Sequence, residues 1–139
     1  MSKLAEKVAL VTGGSRGIGA AIAKRLAADG ASVAFTYAKN AGAASAVVKA
    51  IELAGGKAVA IQADAANVEA VRGAVEKAVA TFGRLDVLVN SAGTAIPKSF
   101  EETTLEEMDR VIDINLRGVL ATTQAALKRD LSASVRDAG

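Results

Sequence analysis

The chain has 139 residues, neither cysteine nor histidine, and a net charge of +2 from 17 basic residues scattered among 15 acidic ones. This composition predicts one domain and excludes disulfide frameworks, thiolate or histidine-ligated metal sites, and Cys-His or Ser-His-Asp catalysis. The basic residues are not clustered and only 3% of the residues are aromatic, so the sequence predicts no basic patch or stacking surface for a nucleic-acid partner.

The N-terminal residues 1–7 mix charged and small side chains, and the apolar run that follows them is short. That run is too short for a signal-peptide core or a membrane span. Because cysteine is absent, a reducing compartment is the default location. We therefore expect a cytoplasmic protein without a membrane partner.

Short apolar runs alternate with helical patterns along the chain. Nearly continuous apolar runs, typical of parallel strands covered on both faces, occur at 8–11, 32–36, 57–61 and 86–89. Helical patterns begin at about residues 17, 43, 68 and 104, and glycines follow the first three. The alternation predicts an α/β fold with a Rossmann-like doubly wound parallel sheet, strand order 3-2-1-4, over residues 1–127. Residues 128–139 form a tail whose structure the pattern does not specify.

Residues 12–19 read Thr-Gly-Gly-Ser-Arg-Gly-Ile-Gly and join the first strand to the first helix. Glycines permit a tight turn without Cβ atoms, and the helix start offers unpaired N–H groups and a positive dipole end to a pyrophosphate. The spacing differs from G-x-G-x-x-G, and Ala20-Ala21 replace the Lys and Ser/Thr of a P-loop, which disfavours nucleotide triphosphate hydrolysis. The alternative is a glycine-rich turn that binds nothing.

Two further segments stand out. Residues 90–93, Asn-Ser-Ala-Gly, follow the fourth strand at the switch point of the sheet, where ligand contacts are expected, although they also fit an ordinary turn. Asn115 falls on a stripe with Met108, Val111 and Val119 at helical spacing. A buried amide needs hydrogen-bond partners, so we expect Asn115 to have them, in either a structural or a catalytic role.

These motifs together resemble the N-terminal part of a short-chain dehydrogenase/reductase, most closely the 3-oxoacyl-acyl-carrier-protein reductase branch. The resemblance covers about residues 5–127 and rests on segments 12–19, 90–93 and 115–118 with Asp64. It implies an oxidoreductase that uses a dinucleotide cofactor on a carbonyl or alcohol substrate.

The resemblance also implies site residues. The pyrophosphate and nicotinamide ribose would be lined by Gly13, Ser15, Arg16, Gly17, Ile18 and Gly19. Asp64 and the Ala65 backbone would hold the adenine edge, and Asn90, Ala92 and Gly93 would lie beneath the adenosine ribose and diphosphate. Thr12 would hydrogen-bond toward the Asn90 turn. Without the resemblance, Asp64 is a structural carboxylate that precedes a helix.

Charge favours NADP over NAD as the cofactor. NAD enzymes place a carboxylate near the end of the second strand, whereas NADP enzymes offer a cation to the 2′-phosphate. Residues 36–40 contain no acid, and Arg16 and Lys39 supply positive charge. The alternative for Lys39 is a solvated surface side chain.

The chain departs from the family at the catalytic residues. Family members carry a Ser and a Tyr-x-x-x-Lys pair after a fifth strand, but the one tyrosine here, Tyr37, ends the second strand and is followed four residues later by Ala41. We assign neither Ser132 nor Ser134, so of the catalytic tetrad only Asn115 remains.

The matches and departures leave two functions open and disfavour a third. The chain represents the cofactor-binding half of an oxidoreductase, inactive alone, or it is a catalytically silent dinucleotide-binding or self-assembling module. A phospho-acceptor receiver domain is disfavoured, because Thr12-Gly13 stand where acidic residues are needed.

The apolar sequence of the fourth strand predicts association with a partner chain. Val87, Leu88 and Val89 are apolar on both faces, and an unpaired edge invites association. We expect a homo-oligomer built on that edge, or partial coverage of it by the C-terminal tail.

Overall fold

In the part of the chain that the structure describes, four parallel strands form one sheet in the predicted order, β3-β2-β1-β4. A computed structural model describes residues 3–129. The strands are β1 (Val8–Thr12), β2 (Ser32–Tyr37), β3 (Lys57–Gln62) and β4 (Val87–Asn90). Each boundary lies within one residue of the prediction. Every strand ends one residue later than predicted because its last residue is polar and yet remains in the ladder, as the pairs Thr12 with Asn90 and Tyr37 with Gln62 show.

Within residues 3–129, five α-helices connect and cover the strands: α1 (Gly17–Ala28), α2 (Ala41–Leu53), α3 (Val68–Phe82), α4 (Leu105–Ile112) and α5 (Gly118–Leu127). The Asn40 side chain accepts a hydrogen bond from Ala43 N at 2.9 Å, so α2 begins two residues before the predicted start. None of the helices within residues 3–129 is long and apolar enough to cross a membrane.

The predicted helix over residues 104–127 is interrupted. A π-helical segment, Asp113–Arg117, separates α4 from α5. Its wider turn shifts the register of the following side chains, so Ile114 is buried and Asn115 is exposed. The prediction that Asn115 lies on the buried stripe is therefore wrong.

The start of α4 has the predicted capping box. Glu107 N donates to Thr104 Oγ1 at 3.1 Å, and Thr104 N donates to the Glu107 carboxylate at 3.0 Å. Hydrogen bonds from Lys98 and from Thr104 N lower the pKa of Glu107 from 4.5 to about 2. The network fixes the residue at which α4 begins.

Apolar side chains cover both faces of the sheet, as expected of a doubly wound fold. On one face Leu10 packs with residues of α3 and with Leu85. On the other face Val11, Val33 and Phe35 pack with residues of α1 and α2. Both faces are thus buried in the manner of a parallel sheet.

The predicted C-terminal tail is described only at Lys128 and Arg129, which follow α5 in a turn. Ser132 and Ser134 lie outside the described residues.

Candidate functional site

A cavity of about 450 Å³ opens at the carboxyl ends of the strands. Its walls are the loop after β1, the ends of β2 and β3, the turn after β4, and two side chains from the helical segment that includes α4. The lining residues are Gly13, Ser15 to Gly19, Thr36 to Ala38, Ala63 to Ala65, Ser91 to Thr94, Arg110 and Ile114. The crevice lies between β1 and β4, where the strand order reverses, as predicted from the sequence.

The loop after β1 presents the amino end of α1 to this cavity. Gly17 has a φ of +56°, and a Cβ atom at that position would meet no atom within 4 Å among the described residues. Arg16 occupies the N-cap position, and its side chain makes no capping hydrogen bond. The backbone N–H groups of the first helical turn are therefore open to a bound anion.

Close packing holds the same loop against the turn after β4. Gly13 has a φ of +67°, and a Cβ atom there would lie 2.8 Å from Ala92 Cα. Gly13 N donates to Thr36 Oγ1 and Gly14 N donates to Thr36 O, both at 3.0 Å, which ties the loop to β2 as well. Glycine is required at position 13, because any side chain would push the two loops apart.

Thr12 joins β1 to the turn after β4, which confirms the predicted contact. Its buried Oγ1 accepts hydrogen bonds from Ser91 N at 3.1 Å and Ala92 N at 3.2 Å. Asn90, in contrast, does not line the cavity. Its amide donates instead to Thr123 Oγ1 at 3.1 Å on α5, so the structure does not bring this predicted site residue to the ligand-facing surface.

Asp64 and Ala65, just after β3, also line the cavity. Asp64 Oδ1 accepts a hydrogen bond from Ala66 N at 2.9 Å, and Oδ2 lies 3.3 Å from Arg110 Nη2. The Ala66 hydrogen bond, with further contributions from Arg110 and Lys39, lowers the pKa of Asp64 despite the opposing effect of burial. Asp64 is therefore ionised and held at both oxygens.

Charged side chains around the cavity are arranged unevenly. Arg16 and Arg110 line it, whereas Lys39 is exposed just outside the lining, close enough to lower the pKa of Asp64. The end of β2 carries no carboxylate. Among residues 3–129 there is no cluster of three or more acidic side chains that could hold a metal ion.

Asn115 has the partners that the sequence led us to expect. Its Oδ1 accepts from Thr94 N at 2.9 Å and its Nδ2 donates to Thr94 O at 2.8 Å. Both hydrogen bonds fix the chain after β4. In the part of the molecule described, Asn115 is exposed, and both polar groups of its side chain bond to the Thr94 backbone.

Sequence reasoning missed several lining residues. Thr36, Tyr37, Ala38 and Ala63 lie at or just after the carboxyl ends of β2 and β3, and the rule that ligands bind at those ends could have identified them. Arg110 could not be identified from the residues around it in the sequence, because its partner Asp64 is 46 residues away along the chain.

Residues 7–135 match the family model described as short chain dehydrogenase. Among curated relatives, the chain is 57% identical over 128 residues to an uncharacterized oxidoreductase of Methylorubrum extorquens, covering 92% of this chain and 52% of that protein. It is 45% identical over 128 residues to a 3-oxoacyl-[acyl-carrier-protein] reductase of Synechocystis, with the same two coverages.

Solved structures give the same result. A short chain dehydrogenase from Burkholderia cenocepacia in complex with NADP is 54% identical with a TM-score of 0.90, covering 92% of this chain and 52% of that one. A blue fluorescent protein from a metagenomic library in complex with NADPH is 49% identical with a TM-score of 0.87, covering 91% and 52%. The chain spans about half the length of the relatives it matches.

Proposed function

This chain belongs to the short-chain dehydrogenase/reductase family, and we propose that its cavity binds NADP(H) as the cofactor-binding part of an oxidoreductase that acts on a carbonyl or alcohol substrate. The observation that carries the proposal is the open amino end of α1, which lines the same cavity as Asp64 at the switch point of the sheet. Helix amino ends and glycine loops of this kind bind the pyrophosphate of dinucleotides.

The residues present fit such a cofactor. Gly13, Gly17 and Gly19 leave the loop without side chains where the pyrophosphate approaches, and Ser15, Arg16 and Ile18 complete that wall. Just after β3, a carboxylate beside a backbone N–H matches the amino group and ring nitrogen of adenine, so Asp64 and Ala65 would hold the base. Ala92 and Gly93 would lie beneath the ribose and diphosphate, next to Asn90.

Charge supports NADP over NAD. Arg16 lines the cavity together with the end of β2, and Lys39 lies close enough to the lining residue Asp64 to lower its pKa. A 2′-phosphate placed at the end of β2 meets two cations and no carboxylate from that strand, whereas the 2′-OH of NAD lacks its usual acidic partner there. Two similar structures were solved with NADP or NADPH, which supports the same choice.

Fluorescence titration with NADPH and NADH tests this choice. We expect NADPH to bind at least about tenfold more tightly, because a hydrogen bond to a charged group contributes about 1.5–3 kcal/mol. Arg16→Gln should remove most of this difference. Arg25→Gln is the matched control, since Arg25 on α1 pairs with Asp29 just after the helix and does not line the cavity. Tighter binding of NADH would reject the NADP assignment.

Bound NADP(H) supplies hydride transfer, and this chain's residues bind and orient it. The Ser and the Tyr-x-x-x-Lys pair of the family have no counterpart among these 139 residues. Tyr37 lines the cavity at the end of β2, and both polar groups of the Asn115 amide are bonded to Thr94. We therefore propose that the isolated chain binds cofactor without turnover.

The second candidate is a catalytically silent dinucleotide-binding or self-assembling module. The same absence of a Ser and a Tyr-x-x-x-Lys pair from the 139 residues favours it.

The outer edge of β4 supports self-association. Among the described residues β4 pairs only with β1, and Val87, Leu88 and Val89 are only half-buried. An unpaired strand edge is a template for a second chain.

We expect light scattering to give a mass that rises with concentration toward a dimer or larger assembly, and amide exchange in residues 86–90 to be slow. A monomer mass at all concentrations, together with fast exchange at those amides, would contradict association through this edge.

A further inference from the structure

We propose that Arg110 is a positioning residue for the base end of the cavity, where it fixes the Asp64 carboxylate and so makes the site select adenine over other purines. The proposal rests on the proposed dinucleotide-binding function and adds to it the residue that sets base selectivity. Neither the sequence motifs nor the loop after β1 include Arg110.

The contacts hold the Asp64 carboxylate from two sides. Oδ1 accepts from Ala66 N at 2.9 Å, within its own loop, and Oδ2 pairs with Arg110 Nη2 at 3.3 Å, from α4. With one partner on each oxygen, rotation of the carboxylate breaks at least one interaction. Arg110 and Asp64 both line the cavity, so the orientation they share is presented to the ligand.

The helical backbone supports the same loop at a second point. A Cβ atom on Gly118 would overlap Ala65 O, so the first turn of α5 packs directly against the residue that follows Asp64. In a regular α-helix, residues 110 and 118 would face directions about 80° apart, since each residue turns about 100°. The π-helical segment between them turns less per residue and brings both residues to one side, toward the loop.

The chemistry of a fixed carboxylate accounts for base selection. An ionised carboxylate only accepts hydrogen bonds, so it favours the exocyclic amino group of adenine and disfavours the carbonyl oxygen that hypoxanthine carries at the same position. Without Arg110, only the hydrogen bond from Ala66 N to Oδ1 restrains the carboxylate, so Oδ2 can turn toward solvent and the unfavourable contact with a carbonyl is relieved. Loss of Arg110 should therefore reduce discrimination between the two bases.

An exposed ion pair is the alternative explanation. The two side chains are 51% and 38% exposed, and pairs of this kind contribute little to stability. Arg110 could also simply attract the cofactor phosphates. Both explanations affect NADPH and its hypoxanthine analogue equally, because the analogue carries the same phosphates. The ratio of the two dissociation constants therefore isolates the effect on the base.

The test measures dissociation constants of NADPH and reduced nicotinamide hypoxanthine dinucleotide phosphate by fluorescence, for the 139-residue chain and three variants. We expect the wild-type chain to prefer the adenine form about tenfold, and Arg110→Gln to reduce that preference to about twofold or less. Arg110→Lys should recover part of the preference. Arg117→Gln is the matched control, because Arg117 pairs with Asp113 at 3.0 Å in the adjoining π-helical segment and does not line the cavity.

The outcomes separate the two proposals. If NADPH binds but Arg110→Gln keeps the wild-type preference, or Arg117→Gln loses it equally, the role of Arg110 is overturned and the proposed function stands. If the wild-type chain binds NADPH but shows no base preference, the same conclusion follows. If it does not bind NADPH, the proposed function fails and this inference fails with it. Circular dichroism establishes that each variant is folded. If Arg110→Gln unfolds, Arg110→Lys is the test: a base preference below that of the wild type supports the role of Arg110, and the full wild-type preference overturns it.

Discussion

Phe35→Ala lowers the free energy of unfolding by about 3–5 kcal/mol, the range for removing a buried aromatic side chain. Phe35 lies on β2, is fully buried, and packs among residues of α1 and α2. It also supports the loop after β1, since a Cβ atom on Gly14 would lie 2.5 Å from Phe35 Cβ. Urea denaturation monitored by circular dichroism measures the change.

Phe100→Ala is the control for Phe35→Ala. Phe100 is 82% exposed in a short 3₁₀ turn, so its loss should change the free energy of unfolding by no more than about 0.5 kcal/mol. Similar losses in the two variants would contradict the packing described for β2.

Gly19→Ala should weaken NADPH binding by about 100-fold or more. A Cβ atom on Gly19 would overlap the backbone oxygen of Gly13, which has no flexible side chain to move aside. The loop must then shift away from the amino end of α1, which removes at least two hydrogen bonds to the pyrophosphate at about 1.5 kcal/mol each. Fluorescence titration measures the loss.

Gly73→Ala is the control for Gly19→Ala, because it adds the same methyl group at a position where no neighbouring atom is close. Gly73 lies in α3, and a Cβ atom there would meet no described atom within 4 Å. We expect unchanged NADPH binding and a gain in stability of about 0.5–1 kcal/mol from the better helix former. If Gly19→Ala bound NADPH as tightly as Gly73→Ala, the pyrophosphate could not lie at this loop.

The sheet was predictable because burial on both faces produces a simple pattern in the sequence. A strand covered by helices on each side needs consecutive apolar residues, and Val8 to Val11 show that pattern directly. The strand ends were less predictable. Thr12 and Asn90 are polar, but they remain paired across the sheet, and their side chains find hydrogen-bond partners in the turn after β4 and on α5.

The helical wall of the site was not predictable in the same way. Apolar spacing assumes 3.6 residues per turn, so it gives no sign of the π-helical segment that exposes Asn115 and buries Ile114. The pairing of Arg110 with Asp64 depends on how α4 approaches the loop after β3. That approach is a tertiary property, and neither residue differs locally from an ordinary surface charge.

The hydrogen bonds from Ser91 N and Ala92 N to Thr12 Oγ1 also bear on the order of folding. They join positions 79 and 80 residues apart, whereas β1, β2 and β3 pair between neighbours along the chain. Long-range closure costs entropy before its contacts form, so we expect the docking of β4 and of the helices after it, which completes the crevice, to be the last step. A ligand that binds only the completed crevice stabilises that last step, by about 2.7 kcal/mol at a concentration 100 times its Kd.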